Sequence, residues 1–529
     1  MVEHSDLAFG SDNDGGSLNS SQVLESETWV IQKFGGTSVG KFPTEIADNI
    51  VRAHLQKYRV AIVCSARSTD TKAEGTTNRL LKAAECALKQ SSTKYIEIVN
   101  TIREDHLAVA KSLLSHAEIL TDLEKKINAE CDQLSKFLSA AQIIEEISPR
   151  TKDSIIGAGE KLSCLFMTAL LNDRNIPAQY VNLDNIIALG YDMNKGLDQS
   201  FYDHVATEIA DRMKKCGDCV PVITGYFGIV PGGLLGAIGR GYTDLCAALA
   251  AVGIGADELQ VWKEVDGIFT ADPRKVPTAR LISMITPEEA SELTYYGSEV
   301  IHPFTMEQVI RAHIPIRIKN VENPMGDGTV IYPDNISRKG DVTPPHPPTS
   351  LERISSSFFR SKKKEPTAVT TKQHITVINI HSNKRFHSHG FMAEVFGILH
   401  KWELVVDLIS TSEVHVSMAL HSEMRDKDLK LAIEELQRLG SVDVIHNMTI
   451  VSLVGKQMKQ LVGIAGRMFS TLASANINIE MISQGASEIN ISCVIQESDA
   501  LKALNVLHQN LLCQPVEPDI LESRPWLLN

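Results

Sequence analysis

The chain has 529 residues, too many for one ordinary hydrophobic core, so two to four domains are expected. Hydrophobic residues make up 43% of it and mean hydropathy is close to zero, the balance of a globular protein in water. A net charge of −13 excludes a broad nucleic-acid face, and any site for an anionic ligand must gather its few cations locally.

Residues 1–27 are rich in Ser, Asp, Asn and Gly, with no basic start followed by an apolar run. They are expected to form a disordered leader rather than a signal peptide. No run approaches the roughly 20 apolar residues of a membrane span. The nine cysteines are scattered and read as reduced thiols of a cytoplasmic protein. Cys216 and Cys219 form a CxxC, but no second Cys or His pair follows at zinc-finger spacing, so no metal site is assigned.

The ordered chain begins with "WVIQKFGGTSVGKFP", an apolar strand Trp29–Phe34 running into glycines and hydroxyls. A helix is expected from about Pro43 to Lys57, followed by a strand, Val60–Ser65. That order implies parallel pairing in an α/β sheet. Residues 79–147 carry helical spacing with few breakers and read as helices appended to the sheet. "AQYVNL", "CVPVITGYFG", "ELQVWKEV" and "IPIRIKN" continue the strands, with helices starting near Thr243, Pro287 and Val300. The first unit spans 28–334. Residues 335–367, with their prolines, serines and three consecutive lysines, read as a linker.

The remainder is an imperfect repeat, divided as 368–445 and 446–529. Phe396, Asp407 and Ser410 recur as Phe469, Glu480 and Ser483, each 73 residues on, and Ser412-Glu413 recurs 75 on as Ser487-Glu488. Each copy reads strand, helix, strand, turn, strand. Such units leave sheet edges for a neighbouring copy and form ligand pockets where they meet, so association into a homo-oligomer is expected.

Four stretches of the first unit carry chemistry. Lys33 ends a strand, Gly35 and Gly36 let backbone approach a ligand, and Ser38 adds a hydroxyl. N–H groups at such a turn suit phosphate, although a plain structural turn has the same appearance. In "GAIGRGYTDLCAAL" Arg240 stands among glycines as a planar fork for a carboxylate, and Thr243 and Asp244 open a helix that either could cap. In "IIGAGEKLSCLFMTALL" Glu160 stands at an expected turn into a helix, where it suits an ammonium group or merely the helix dipole. "VWKEVDGIFTADPRKVP" is a loop leaving a strand end, with Lys263, Asp266, Asp272 and Arg274, at the position where α/β folds place ligands.

Together "KFGGTSVG", "SARSTDTKAEGTTN", "GEKLS", "GRGYTDLCAAL" and "WKEVDGIFTADPRKVP" resemble the aspartate kinase family, in its monofunctional fungal form. The resemblance runs from residue 29 to about 500. It implies an α/β amino-acid-kinase fold, a largely parallel sheet sandwiched by helices, followed by two α+β ACT (βαββαβ) regulatory domains. It implies ATP with Mg²⁺ as phosphoryl donor, L-aspartate as acceptor, and feedback by threonine. Lys33 and Asp244 match catalytic positions. Ser38, Thr76, Thr77, Glu160, Arg240 and Thr243 match the aspartate pocket, with Glu160 on the amino group and Arg240 on the α-carboxylate. Gly35, Gly36, Lys263, Phe269 and Arg274 match the nucleotide side. In the first repeat Gly390, Asp407 and Ser412 are the effector-binding candidates, with Asp407 suited to a ligand ammonium, although the same residues could merely close turns. The Mg²⁺ is expected on phosphate oxygens, with no protein ligand. Two departures stand out: Glu299 replaces a lysine common in bacterial relatives, and Lys263-Glu264 replaces their Thr-Asp. A same-fold kinase acting on glutamate, and an inactive amino-acid sensor, remain open alternatives.

Overall fold

A computed structural model describes residues 28–332 and 366–513, apart from 69–74, 90, 188–196, 229, 231–232, 240, 296–300, 383–389, 413, 422–425, 457, 459–460 and 486–488. The leader, most of the linker, the tail after 513, Arg240 and Glu299 therefore lie outside the described residues.

The first unit is built on an eight-stranded sheet. Its strands in chain order are β1 (Trp29–Phe34), β2 (Arg59–Cys64), β3 (Ala178–Val181), β4 (Val220–Thr224), β5 (Glu258–Lys263), β6 (Met284–Ile285), β7 (Ile316–Asn320) and β8 (Thr329–Ile331). The spatial order is β3-β4-β2-β1-β5-β7-β8-β6. All neighbours are parallel except β7 and β8. Strands β1, β2 and β4 are buried along almost their whole length and mostly apolar, because helices cover both faces of the sheet. One face packs against helices Gln199–Lys214, Tyr242–Ile254 and Pro303–Arg311. The other packs against the helical residues 43–54 and helices Thr76–Ala87, Lys94–Leu113, Ala117–Ile144 and Pro149–Asp173. These last account for the helical tract expected at 79–147.

Helix Pro149–Asp173 is the one described helix long and apolar enough to cross a membrane, closer to that length than the sequence reading allowed. Most of it is buried inside the protein. It also corrects the placement of Glu160, which stands in mid-helix and not at a turn. Ser148 caps the helix through the Thr151 N–H and Pro149 fills its first position, eleven residues before Glu160. Gly157 and Gly159 read as breakers but serve as close-packing points. A Cβ at Gly157 would lie 2.8 Å from the Tyr226 ring, and one at Gly159 3.0 Å from Ala66 Cβ.

The repeats form a six-stranded antiparallel sheet, β9 (Ala368–Ser382), β10 (Val406–Thr411), β11 (His415–His421), β12 (Gly440–Val454), β13 (Met481–Ser483) and β14 (Asn490–Gln496), ordered β10-β11-β9-β12-β14-β13. The long strands β9 and β12 serve both repeats. Residues 375–382 pair with 440–448 in the first, and 368–372 pair with 450–454 in the second. His374 and Asn447 take positive φ at the register shift between the halves. Residues 368–372 thus precede the first repeat in the chain yet complete the second.

Candidate active site

The site forms where β1 and β5, neighbours at the centre of the sheet, release the chain at their carboxyl ends. Lys33 is paired in register with Val261, and Phe34 with Trp262, on which its ring stacks. A buried strand is a costly place for an ammonium without a partner. Lys33 Nζ finds one in Asp244 Oδ1 at 2.7 Å, in the first turn of helix Tyr242–Ile254.

After β1 the chain turns at once. Gly35 is extended (φ −70°, ψ 163°) and Gly36 opens a six-residue helix, Gly36–Lys41. A Cβ on Gly36 would lie 2.3 Å from the Ala66 carbonyl oxygen, so this glycine is fixed by the loop after β2. A Cβ on Gly35 would lie 3.9 Å from Ser38 Oγ and 4.0 Å from Lys33 Nζ, which places the three groups around one small volume. The buried Ser38 hydroxyl donates to Glu264 Oε1 at 2.7 Å, just beyond β5.

Glu160 lies beneath these groups and is fully buried. Thr243 Oγ1 donates to its Oε1 at 2.9 Å, while Oε2 has no well-formed hydrogen bond among the described residues. Burial pushes its carboxyl up to about 8, against the opposing pull of the Thr243 and Tyr242 hydroxyls and the Lys33 charge. A buried carboxyl so perturbed, opening toward an ammonium and hydroxyls, has the character of a ligand-binding group.

Thr76 is buried, and its hydroxyl donates to the Arg67 carbonyl at 2.7 Å; the Arg67 N–H in turn donates to Ser163 Oγ at 2.8 Å. This ties the start of helix Thr76–Ala87, including the half-buried Thr77, to the helix of Glu160. Asp153, on that same helix, accepts from the Leu234 N–H through both oxygens at 2.8 and 2.7 Å, and holds the glycine-rich segment leading to Thr243. Sequence reasoning missed Asp153, Ser163 and Glu264 as site supports. Glu264 alone carried a signal, as a departure from the family's Thr-Asp.

The nucleotide-side candidates lie on the segment that leaves β5. Lys263 ends the strand, and Phe269 bridges to Leu281 across the loop. Arg274 is exposed at the far end of the segment, where its guanidinium meets Asp272 at 3.0 Å. Arg274 thus stands apart from the Lys33 cluster in local contacts. Of the effector candidates, Gly390 (φ 88°) begins helix Phe391–Lys401, and exposed Ser412 closes the β10–β11 turn by accepting from the His415 N–H. The Asp407 carboxylate is buried and pairs with Lys372 Nζ at 2.7 Å.

A parallel sheet with a cation, hydroxyls and buried carboxylates at its strand ends, joined to a tandem α+β sheet, defines a small-molecule enzyme of the α/β class with an attached binding module. A family model described as the amino acid kinase family matches residues 28–320, and one described as an ACT domain matches 451–511. The chain is 60% identical to an aspartokinase of Candida albicans, over 92% of this chain and 90% of that one. It is 58% identical to an aspartokinase of Saccharomyces cerevisiae, over 92% and 93%. The structure of E. coli aspartokinase III in complex with aspartate and ADP matches with a TM-score of 0.68 at 27% identity, over 91% of this chain and 99% of that one. The same protein in complex with lysine and aspartate gives 0.70 at 28%, with the same coverage. The chain belongs to the amino acid kinase family and, within it, to the aspartokinases.

Proposed function

We propose that the protein transfers the γ-phosphoryl group of MgATP to the side-chain carboxylate of L-aspartate, giving ADP and 4-phospho-L-aspartate. The observation that carries this reading is the clustering of Lys33, Asp244, Ser38, Thr243 and Glu160 at the carboxyl ends of β1 and β5, in a chain of this family. The acceptor carboxylate has an ordinary pKa of about 3.9 and is already a nucleophile at neutral pH, so no general base is needed. Phosphoryl transfer asks chiefly for alignment and charge neutralisation.

In this reading Lys33 meets the charge that builds on the transferring phosphoryl group, and Asp244 fixes the Lys33 ammonium. Gly35 and Gly36 admit the phosphates to backbone N–H groups. Glu160 takes the substrate ammonium and Arg240 its α-carboxylate, with Ser38, Thr76, Thr77 and Thr243 around the chain. Lys263, Phe269 and Arg274 serve the nucleotide side. Mg²⁺ enters on the nucleotide as part of the substrate and neutralises phosphate charge.

The reaction is the first step toward threonine and methionine, and the enzyme is cytoplasmic. Threonine binds the first repeat near Gly390, Asp407 and Ser412, and inhibits by preferring one of two arrangements of regulatory and kinase units. A homo-oligomer assembled through the repeats is part of this reading. A coupled assay of ADP release tests this reading, with aspartate or glutamate as acceptor and with threonine or lysine added. It requires aspartate-dependent turnover that threonine suppresses; equal turnover with glutamate would transfer the enzyme to another acceptor.

A further inference from the structure

The segment that leaves β5 at Glu264 does not stay on the kinase unit. Its middle sits in the core of the second repeat, where Ala271 and Val276 are buried with Val369, Val451, Leu453 and Leu504. Polar ties surround that insertion. The Val369 N–H donates to the Thr270 carbonyl at 2.9 Å, Asn505 Nδ2 to the Lys275 carbonyl at 3.1 Å, and Arg280 Nη2 to the Leu512 carbonyl at 2.6 Å. At the centre is His508, at the start of the turn His508–Leu512, with its side chain fully buried. Its Nε2 lies 2.8 Å from Thr270 Oγ1 and its Nδ1 3.2 Å from Thr278 Oγ1.

The bridged threonines are eight positions apart and bracket Arg274. Thr270 is further held by the Arg280 N–H, which donates to its hydroxyl at 2.9 Å, and Phe269 is the residue just before it. A neutral imidazole donates from one nitrogen and accepts at the other, so a single ring satisfies both hydroxyls and fixes the span between them. Nδ1 also lies 3.4 Å from Cys513 Sγ, a weaker partner, so losing the Thr278 hydroxyl leaves the ring with a poorer hydrogen bond and loosens the hold between the two ends of the loop.

We propose that His508 is a positioning residue for nucleotide binding: from the second regulatory repeat, it sets the separation of Thr270 and Thr278 and so the course of the loop that carries Phe269 and Arg274. This rests on the reading of those two residues as nucleotide-side groups. Any shift of the second repeat against the kinase unit then reaches the ATP side directly through this ring, without passing through the aspartate pocket.

Steady-state kinetics of the full chain test the idea, with KM for ATP and for aspartate measured separately in Thr278→Val, His508→Gln and the double variant. Loss of one such hydrogen bond corresponds to about a fivefold change. Each single variant is expected to raise KM for ATP by about fivefold or more with KM for aspartate within twofold. The double variant should be no worse than the poorer single, and Thr278→Ser should restore the wild-type value. If His508→Gln does not fold, Thr278→Val decides alone, since it alters only an exposed loop hydroxyl. Unchanged KM for ATP, or a parallel rise in both KM values, would overturn the proposal. A wild-type protein with no aspartate-dependent turnover would instead overturn the catalytic reading. The positioning role would then be decided by direct titration with ATP, with the same fold-changes expected in Kd.

Discussion

Lys33 Nζ stands 2.7 Å from Asp244 Oδ1 and joins the end of the central strand β1 to the first turn of the helix that covers the sheet. Both side chains are mostly buried, so each is the other's main compensation for lost water. The pair holds the lysine rigidly at the mouth of the glycine turn, which is what an electrostatic catalyst requires, since preorganised charge does not have to reorient as the reaction proceeds.

Lys33→Ala and Asp244→Ala are each expected to lower kcat by about 10²–10³-fold or more. Each single change also leaves one charge unpaired and lowers Tm. The double variant Lys33→Met/Asp244→Leu should recover much of the Tm while staying inactive. Turnover assays and thermal melts on the three proteins separate the two effects, and near-normal turnover in either single variant would remove that residue from the site.

Glu160 gives the pH dependence. With its carboxyl pushed up to about 8, Glu160 is largely protonated at neutral pH, whereas the proposed contact with a substrate ammonium requires the ionised form. KM for aspartate should therefore fall as pH rises from about 6.5 to 8.5, with proton release on binding. In the empty protein the same shift has the opposite sign for stability. A folded pKa above the unfolded value of 4.5 gives stability that is fully present below pH 4.5 and lost as pH rises through about 8. Glu160→Gln should weaken aspartate binding and flatten both trends. A KM for aspartate that does not vary with pH in the wild type would contradict this.

Gly35 and Gly36 separate ligand access from folding. A Cβ at Gly36 meets the Ala66 carbonyl oxygen at 2.3 Å, so Gly36→Ala must displace backbone and lower Tm. Gly35 has ordinary backbone angles and a Cβ there meets nothing nearer than 3.9 Å, so Gly35→Ala should melt like wild type while raising KM for ATP. Equal melting of the two variants would show that the loops do not interleave as described.

In the first repeat, an effector ammonium seeking Asp407 must compete with Lys372, 2.7 Å from the same carboxylate. Asp407→Ala should abolish threonine inhibition with little change in KM for aspartate, and Lys372→Met should lower the threonine concentration that half-inhibits. Inhibition curves for the two variants check this. Inhibition retained in Asp407→Ala would count against the pocket.

Local sequence carried much of this architecture because the signals were local. The apolar runs of β1, β2, β4 and β5 and the glycine turn before Ser38 are legible within a few residues. Glu160 was misplaced because Gly157 and Gly159 read as breakers, whereas their small size admits Tyr226, Ala66 and Thr76 against a continuous helix. The role of residues 368–372 in the second repeat could not be read, since a 15-residue strand shared by two units looks like one unit's first strand. His508 and Thr270 are 238 positions apart, and no periodicity connects them. Asp153 acts through backbone N–H contacts, which leave no pattern in a sequence, and Glu264, visible only as a departure from the family, acts through one hydroxyl contact.

The most direct measurement follows the oxygen of the bond to be made. L-Aspartate labelled with ¹⁸O in its side-chain carboxylate is turned over with MgATP in the presence of hydroxylamine, which attacks the acyl carbon of the product and releases phosphate. The account predicts aspartyl hydroxamate together with phosphate that carries one ¹⁸O, in amounts matching the ADP formed. ADP accompanied only by unlabelled phosphate would mean that water and not the carboxylate is the acceptor, and would contradict it.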